Sequence, residues 1–277
     1  KLASRVKGID VILTGHTHDA IPSVIQVEDT LLVAAGSHGK FLARMDLEVK
    51  NKKVVNYSFK MMPIFSDVIT PDPEIDAVVK EIRAPFKKDL NRVLGRSESL
   101  LYRRGNFNGT FDDLICQAIM EERDTEIAFS PGFRWGASLL PGDDITVEDV
   151  YNQTAITYAN STRTPMTGTF IKTVLEDVGD NLFNPDPYYQ QGGDMVRVGG
   201  MGYSFDINGA MGKRVSDMTL LSTGEAIDPK KTYMVGGWAS VRPNAKGPKI
   251  YDVVSKYIEN KKTLLFPKQD FIKVIGA

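Results

Sequence analysis

The 277 residues suffice for one large or two ordinary domains, and a hydrophobic share of 42% with 25% charged residues and 24 glycines suits a folded globular chain. Lys plus Arg at 34 against Asp plus Glu at 35 leaves a net charge of −1, which excludes the basic field of a nucleic-acid binder and the acidic tail of a disordered protein. No apolar run has the length of a membrane span, and the single cysteine, Cys116, has no internal disulfide partner and reads as buried filler in an apolar pattern.

In chain order, the β-branched run Val11-Ile12-Leu13 leads through Gly15 into His16-Thr17-His18, which holds two of the three histidines. A buried strand ending in a functional loop has this form, with Gly15 expected to supply the turn between the imidazoles. Short strands are predicted at residues 10–14, 23–27, 31–35, 42–49 and 54–61, the last two joined by the polar turn Asn51-Lys52-Lys53. Five strands without helices make a poor domain alone, and the abrupt start reads as truncation, with a partner layer expected upstream. His38, between Gly36-Ser37 and Gly39, reads as a loop histidine, or else as a supporting residue beside His16 and His18.

Asp72 then caps a helix predicted to run to about residue 92, with Ile75, Val78, Val79, Ile82, Phe86 and Leu90 as its apolar stripe and Pro85 as its break. This amphipathic stretch is the expected linker between domains. From Gly95 the pattern is mixed, with helices at 110–122, 146–151, 167–180 and 245–260 and strands at 127–129, 203–207, 215–221 and 233–237.

Three stretches carry candidate chemistry. His16 and His18 are imidazoles suited to zinc, manganese or iron, although two ligands do not make a site. Ser130-Pro131-Gly132-Phe133-Arg134-Trp135-Gly136 sets a rigid cationic fork among aromatics after a strand, either as an oxyanion site or as a structural turn. In Gly192-Gly193-Asp194-Met195-Val196-Arg197-Val198-Gly199-Gly200, paired glycines bracket an Asp and an Arg, either to bring backbone and Arg197 to an anion or as a surface hairpin. Trp238, after Gly236-Gly237, stands at a strand end as core or as a platform over a cleft.

Gly15-His16-Thr17-His18 with its strand resembles the last metal-binding motif of calcineurin-like metallophosphoesterases. The order of that motif, a linker helix, an Arg-bearing turn and a Gly-Gly-aromatic strand end is similar to the two-domain 5′-nucleotidase family. Within it, the Gly192–Gly200 motif, Pro187-Tyr188-Tyr189 and Pro131-Gly132-Phe133-Arg134-Trp135 resemble the SoxB family of thiosulfohydrolases.

The resemblance implies an α/β (α+β) fold: residues 1–66 as the C-terminal edge of a metallophosphoesterase β-sandwich, 67–94 as a linker helix, and 95–277 as the α/β substrate-binding or carrier-binding domain. It also implies a periplasmic dimanganese enzyme, with no membrane or nucleic-acid partner, that hydrolyses the S-thiosulfonated cysteine of SoxY in the SoxYZ carrier and releases sulfate. His16 and His18 are the implied metal ligands, Arg197 and Arg134 the residues that recognise the sulfonate or line its approach channel, and Asp194, Trp135, Trp238 and Tyr158 the residues on the carrier side. A metal pair would supply an activated water and a clamp on the sulfonate oxygens. The family's upstream metal motifs are absent from these residues, so the chain alone is expected to be inactive. A periplasmic 5′-nucleotidase and a non-catalytic carrier-binding module are the rival expectations.

Overall fold

Residues 1–134, 136–154, 156–240 and 245–276 are described by a computed structural model. The chain divides into units 1–85 and 86–277, and the division falls inside the segment 67–94 expected to link two domains.

In the first unit, the short helix α1 (Leu2–Arg5) precedes strands β1 (Val11–Thr14), β2 (Ile25–Val27) and β3 (Thr30–Ala34). They form a sheet in the order β1-β3-β2, parallel between β1 and β3 and antiparallel between β2 and β3. Strands β4 (Phe41–Lys50) and β5 (Lys53–Pro63) form a separate antiparallel hairpin. Its connection is the two-residue Asn51-Lys52, both with positive φ (50° and 62°), the twist that matches a right-handed ribbon.

Helix α2 (Pro73–Arg83) starts where Asp72 accepts hydrogen bonds from the Glu74 and Ile75 amides at 3.0 and 3.1 Å. The single long helix expected from sequence is in three pieces: α2, a 3₁₀ turn Ala84–Phe86 and the short α3 (Lys87–Leu90). Pro85, which lacks an amide hydrogen, lies in the middle piece. Much of the α2 stripe is exposed, Ile75 at 64% and Ile82 at 65%.

The second unit contains β6 (Val93–Ser97), α4 (Thr110–Arg123), β7 (Ile127–Ser130), β8 (Asp144–Thr146), α5 (Val147–Thr154), β9 (Thr162–Thr167) and α6 (Gly168–Phe183). There follow β10 (Arg197–Gly199), β11 (Met201–Asp206), β12 (Val215–Leu220), β13 (Thr232–Gly237), α7 (Ile250–Lys261), β14 (Thr263–Leu264) and β15 (Ile272–Ile275). The central sheet has the order β10-β7-β13-β9, with β7 and β13 parallel and both outer pairs antiparallel. Two smaller sheets, β12-β11-β15 and β14-β6-β8, complete this mixed α/β unit.

Two cores organise it. Phe111, Leu114, Ile115 and Ile119 of α4 pack with Val254 and Ile258 of α7 in one; Ile127, Phe129 and Val235 of the central sheet pack with Ile171, Leu175 and Phe205 in the other. Helix α4 lies so close to the sheet that a Cβ on Gly199 would come 2.6 Å from that of Cys116, and one on Gly236 2.3 Å from Ile119 Cγ2. Gly199, read from sequence as room for a ligand, serves helix-to-sheet contact instead, as Gly236 does. Cys116 is buried there, as expected. Helix α7 begins at Ile250 rather than 245, after Gly247-Pro248, with Lys249 extended at its N-cap (φ −67°, ψ 143°).

Candidate active site

The centre of the second unit is a ladder of alternating charge. Arg103, between β6 and α4, donates from Nε to Asp112 Oδ1 at 2.7 Å, and both side chains are fully buried. Asp112 sits in the first turn of α4, where the helix dipole favours an anion, and its other oxygen lies 3.3 Å from Arg197 Nε. Arg197 opens β10 opposite Ser130 of β7 and donates from Nη2 to Asp194 Oδ2 at 2.7 Å. Asp194 Oδ1 in turn receives Arg134 Nε at 2.8 Å and also Arg134 Nη2.

The ladder therefore runs Arg103–Asp112–Arg197–Asp194–Arg134, from a fully buried end to a side chain 15% exposed. Three guanidiniums against two carboxylates leave one positive charge in excess. Main-chain carbonyls share it: Gln153 and Pro131 accept from Arg103 at 2.6 and 2.8 Å, and Gly193 accepts from Arg134 at 3.0 Å. Burial pushes the neighbouring Asp113 carboxyl up to about 7, the Asp112 charge adding to the rise and Arg197 opposing it.

Local backbone makes the ladder possible. A Cβ on Gly132 would lie 2.5 Å from the Met195 carbonyl oxygen and 2.6 Å from that of Asp194, so only glycine lets the Arg134 loop lie against the Asp194 segment. Gly192 and Gly193, with φ of 80° and 88°, turn the chain into that segment.

Of the residues singled out in the sequence, Arg134, Asp194 and Arg197 thus come together. Arg197, expected to meet an anion directly, is 1% exposed and spent on two carboxylates, so the outward-facing cation is Arg134. The alternative of a surface Asp–Arg hairpin also fails, because Asp194 is buried as well. Trp238 is 6% exposed; it donates from Nε1 to Ser130 Oγ at 2.9 Å and meets Phe133 edge-on at 5.9 Å between centroids. Trp135 lies outside the described residues.

Trp238 also borders a cavity of about 620 Å³ at the C-terminal ends of the parallel strands β7 and β13, where ligands bind in open α/β sheets. Met166, Phe170 and Val174 give it an apolar wall, and Arg163 and Lys246 add cations. Tyr158 is 47% exposed and is not among its described lining residues.

Sequence reasoning missed Arg103 and Arg163. Arg163 closes the C-terminus of α4 by donating from Nε to the Arg123 and Asp124 carbonyls at 3.0 and 3.1 Å. A strand-borne arginine opposite a helix end carries no sequence signal. Arg103 followed by Asp112 nine residues later carries an equally faint one.

In the first unit, His16 and His18 follow β1, and His18 lies 6.0 Å from His38 between ring centroids, at a right-angled 83°. The loops are tied together: Asp19 accepts from the Gly36 amide at 2.8 Å, and Ala34 accepts from that of Ile21 at 3.0 Å. His38 is held below the usual imidazole range, first by burial and then by Lys40 and His18. All three histidines have positive φ, 64°, 59° and 58°, so they take the strained turn themselves, whereas Gly15 does not. Among the described residues no group of three or more His, Cys, Asp and Glu side chains is arranged to hold a metal ion. His16 and His18 alone fall short of the donor set a metal pair requires.

The 5′-nucleotidase C-terminal domain matches residues 93–252, more than half of the chain, and the chain belongs to the 5′-nucleotidase family. Within that family it is similar over its whole length to the solved structure of the sulfate thiohydrolase SoxB from Thermus thermophilus, with 34% identity and a TM-score of 0.93, covering 52% of that chain. A 5′-nucleotidase precursor, also from Thermus thermophilus, shares the fold at 18% identity and a TM-score of 0.80, with all of this chain and 61% of that one aligned. Among curated relatives, the trifunctional nucleotide phosphoesterase protein YfkN of Bacillus subtilis is 29% identical across 85% of this chain and 17% of its own length. The bovine 5′-nucleotidase is 24% identical across 80% of this chain and 43% of its own length. The chain thus spans about half or less of the curated relatives named here.

Proposed function

We propose that this chain is the substrate-side portion of a SoxB-type hydrolase that cleaves the S-thiosulfonated cysteine of SoxY in the SoxYZ carrier and releases sulfate. The observation that most supports the reading is the likeness to SoxB along the whole chain, at 34% identity. The permanently charged Arg134 at the open end of the ladder supplies the matching chemistry.

Arg134 is held from behind, Nε and Nη2 by Asp194 and Nη2 also by the Gly193 carbonyl, with Arg197 behind Asp194, and in this reading it meets a sulfonate as a fixed positive charge. Under this reading Trp238 and the neighbouring cavity border the path of the carrier arm. His16 and His18 serve as two ligands of a dimanganese centre that needs further donors, and the protein works in the periplasm. Among the described residues no helix is long and apolar enough to cross a membrane.

The test compares sulfate release from thiosulfonated SoxYZ with phosphate release from a nucleotide, using the complete protein that carries this chain. Sulfate release supports the reading. Phosphate release alone favours a nucleotide phosphoesterase, the second reading, which rests on the 29% identity to YfkN. The 277 residues alone are expected to be inactive in both assays, and robust sulfate release by them would overturn that expectation.

A further inference from the structure

Arg134 is fixed from two directions. Through side chains, Asp194, Arg197 and Asp112 lead from it to Arg103. Through the main chain, Arg134 is joined by Phe133 and Gly132 to Pro131, whose carbonyl accepts from Arg103 Nη2 at 2.8 Å. The two routes meet at one guanidinium and close a ring.

Arg103 holds three segments from that point. Nε engages Asp112 on α4, Nη1 the Gln153 carbonyl of α5 and Nη2 the Pro131 carbonyl in the Arg134 loop. Its central carbon also lies 5.9 Å from the Phe133 ring centroid and 5.7 Å from that of Trp238. The loop bearing Arg134 is therefore held by Arg103 at both Pro131 and Phe133. Only a planar fork directs three donors along these separate lines, and a lysine ammonium does not reproduce it.

We infer that Arg103 is a positioning residue that locks the 131–134 loop, so that Arg134 presents its guanidinium to an anionic substrate group in one orientation. The inference rests on the reading of Arg134 as the anion-binding cation. Locking removes rotamer freedom before binding, which favours affinity without adding a contact.

The test follows hydrogen exchange of arginine Nε–H groups by NMR in the 277-residue chain. Arg163, whose Nε donates to carbonyls outside the ring, serves as the internal reference. In folded Arg103→Lys, exchange at Arg134 Nε–H is expected to quicken at least tenfold while Arg163 stays within twofold. Exchange at Arg134 within twofold of the parent overturns the inference.

If Arg103→Lys does not fold, the parent is measured in sub-denaturing urea. The Arg134 and Arg103 Nε–H groups are expected to share one urea dependence, and urea-independent exchange at Arg134 alone overturns the lock. Titration with thiosulfate separates the two ideas. A slowly exchanging Arg134 that gives no shift with thiosulfate retains the lock and overturns the anion assignment. A shift whose affinity is unchanged in folded Arg103→Lys overturns the positioning role.

Discussion

Arg134 and Asp194 meet through a single carboxylate oxygen: Arg134 Nε and Nη2 both donate to Oδ1, which leaves Oδ2 for Arg197 Nη2 at 2.7 Å. One aspartate thus fixes two guanidiniums, one fully buried and one facing out. Asp194→Asn is expected to remove the shared charge, leaving Arg134 without a carboxylate and Arg197 with Asp112 alone, at a cost of about 3 kcal/mol. Urea unfolding measures this, and a loss of under about 1 kcal/mol would show that the ladder is held elsewhere.

Gly132→Ala sets a methyl group against the Met195 and Asp194 carbonyl oxygens, neither of which can swing away as a side chain can. We expect about 1–3 kcal/mol of destabilisation and displacement of the Arg134 loop, with thiosulfate affinity falling about tenfold. Unchanged stability and affinity together would mean that the two segments do not need this close approach.

The raised Asp113 carboxyl makes stability depend on pH in a definite sense. Its folded value of about 7 lies above the ordinary 3.8, so the folded chain holds the proton more tightly than the unfolded chain does. That contribution is complete below the unfolded value and is lost as pH rises to about 7. Relative to the parent, Asp113→Asn is therefore expected to gain Tm progressively from pH 5 to pH 8. A Tm difference that stays flat over this range would contradict the assignment.

Trp238 combines packing with one hydrogen bond, and two substitutions separate them. Trp238→Phe keeps most of the ring volume but removes the donor to Ser130 Oγ, a cost of about 1 kcal/mol. Trp238→Ala also opens a void and is expected to cost about 3–5 kcal/mol. Equal losses for the two variants in denaturant unfolding would deny the packing role.

The sequence made some elements plain and hid others for physical reasons. The β4–β5 hairpin showed in its alternation and polar turn, α4 and α6 in their helical stripes, and the break at Pro85 in a missing amide hydrogen. Strand β10 is three residues long, β8 three and β14 two, and such pieces exist because neighbours pair with them rather than through propensity of their own. Strand β9 contains Pro165, a residue without an amide hydrogen to donate; it is tolerated because β9 lies at the sheet edge.

At the site, Arg134 and Asp194 stood out by their turn and glycine context. The burial of Arg197 did not, because glycines that signal an exposed hairpin in sequence serve helix contact in space. Arg103 was hidden because its partners lie nine, 28 and 50 residues away.

The backbone around the histidines bears on how their roles can be dissected. With φ near 60°, positions 16, 18 and 38 favour glycine or asparagine, and any other replacement alters local backbone energy as well as removing the ring. An alanine at His16 or His18 would confound lost ligation with a shifted loop. Asparagine, which tolerates the left-handed region, isolates the imidazole itself, and a comparison of the two replacements at each position would measure how much of the effect belongs to chemistry and how much to shape.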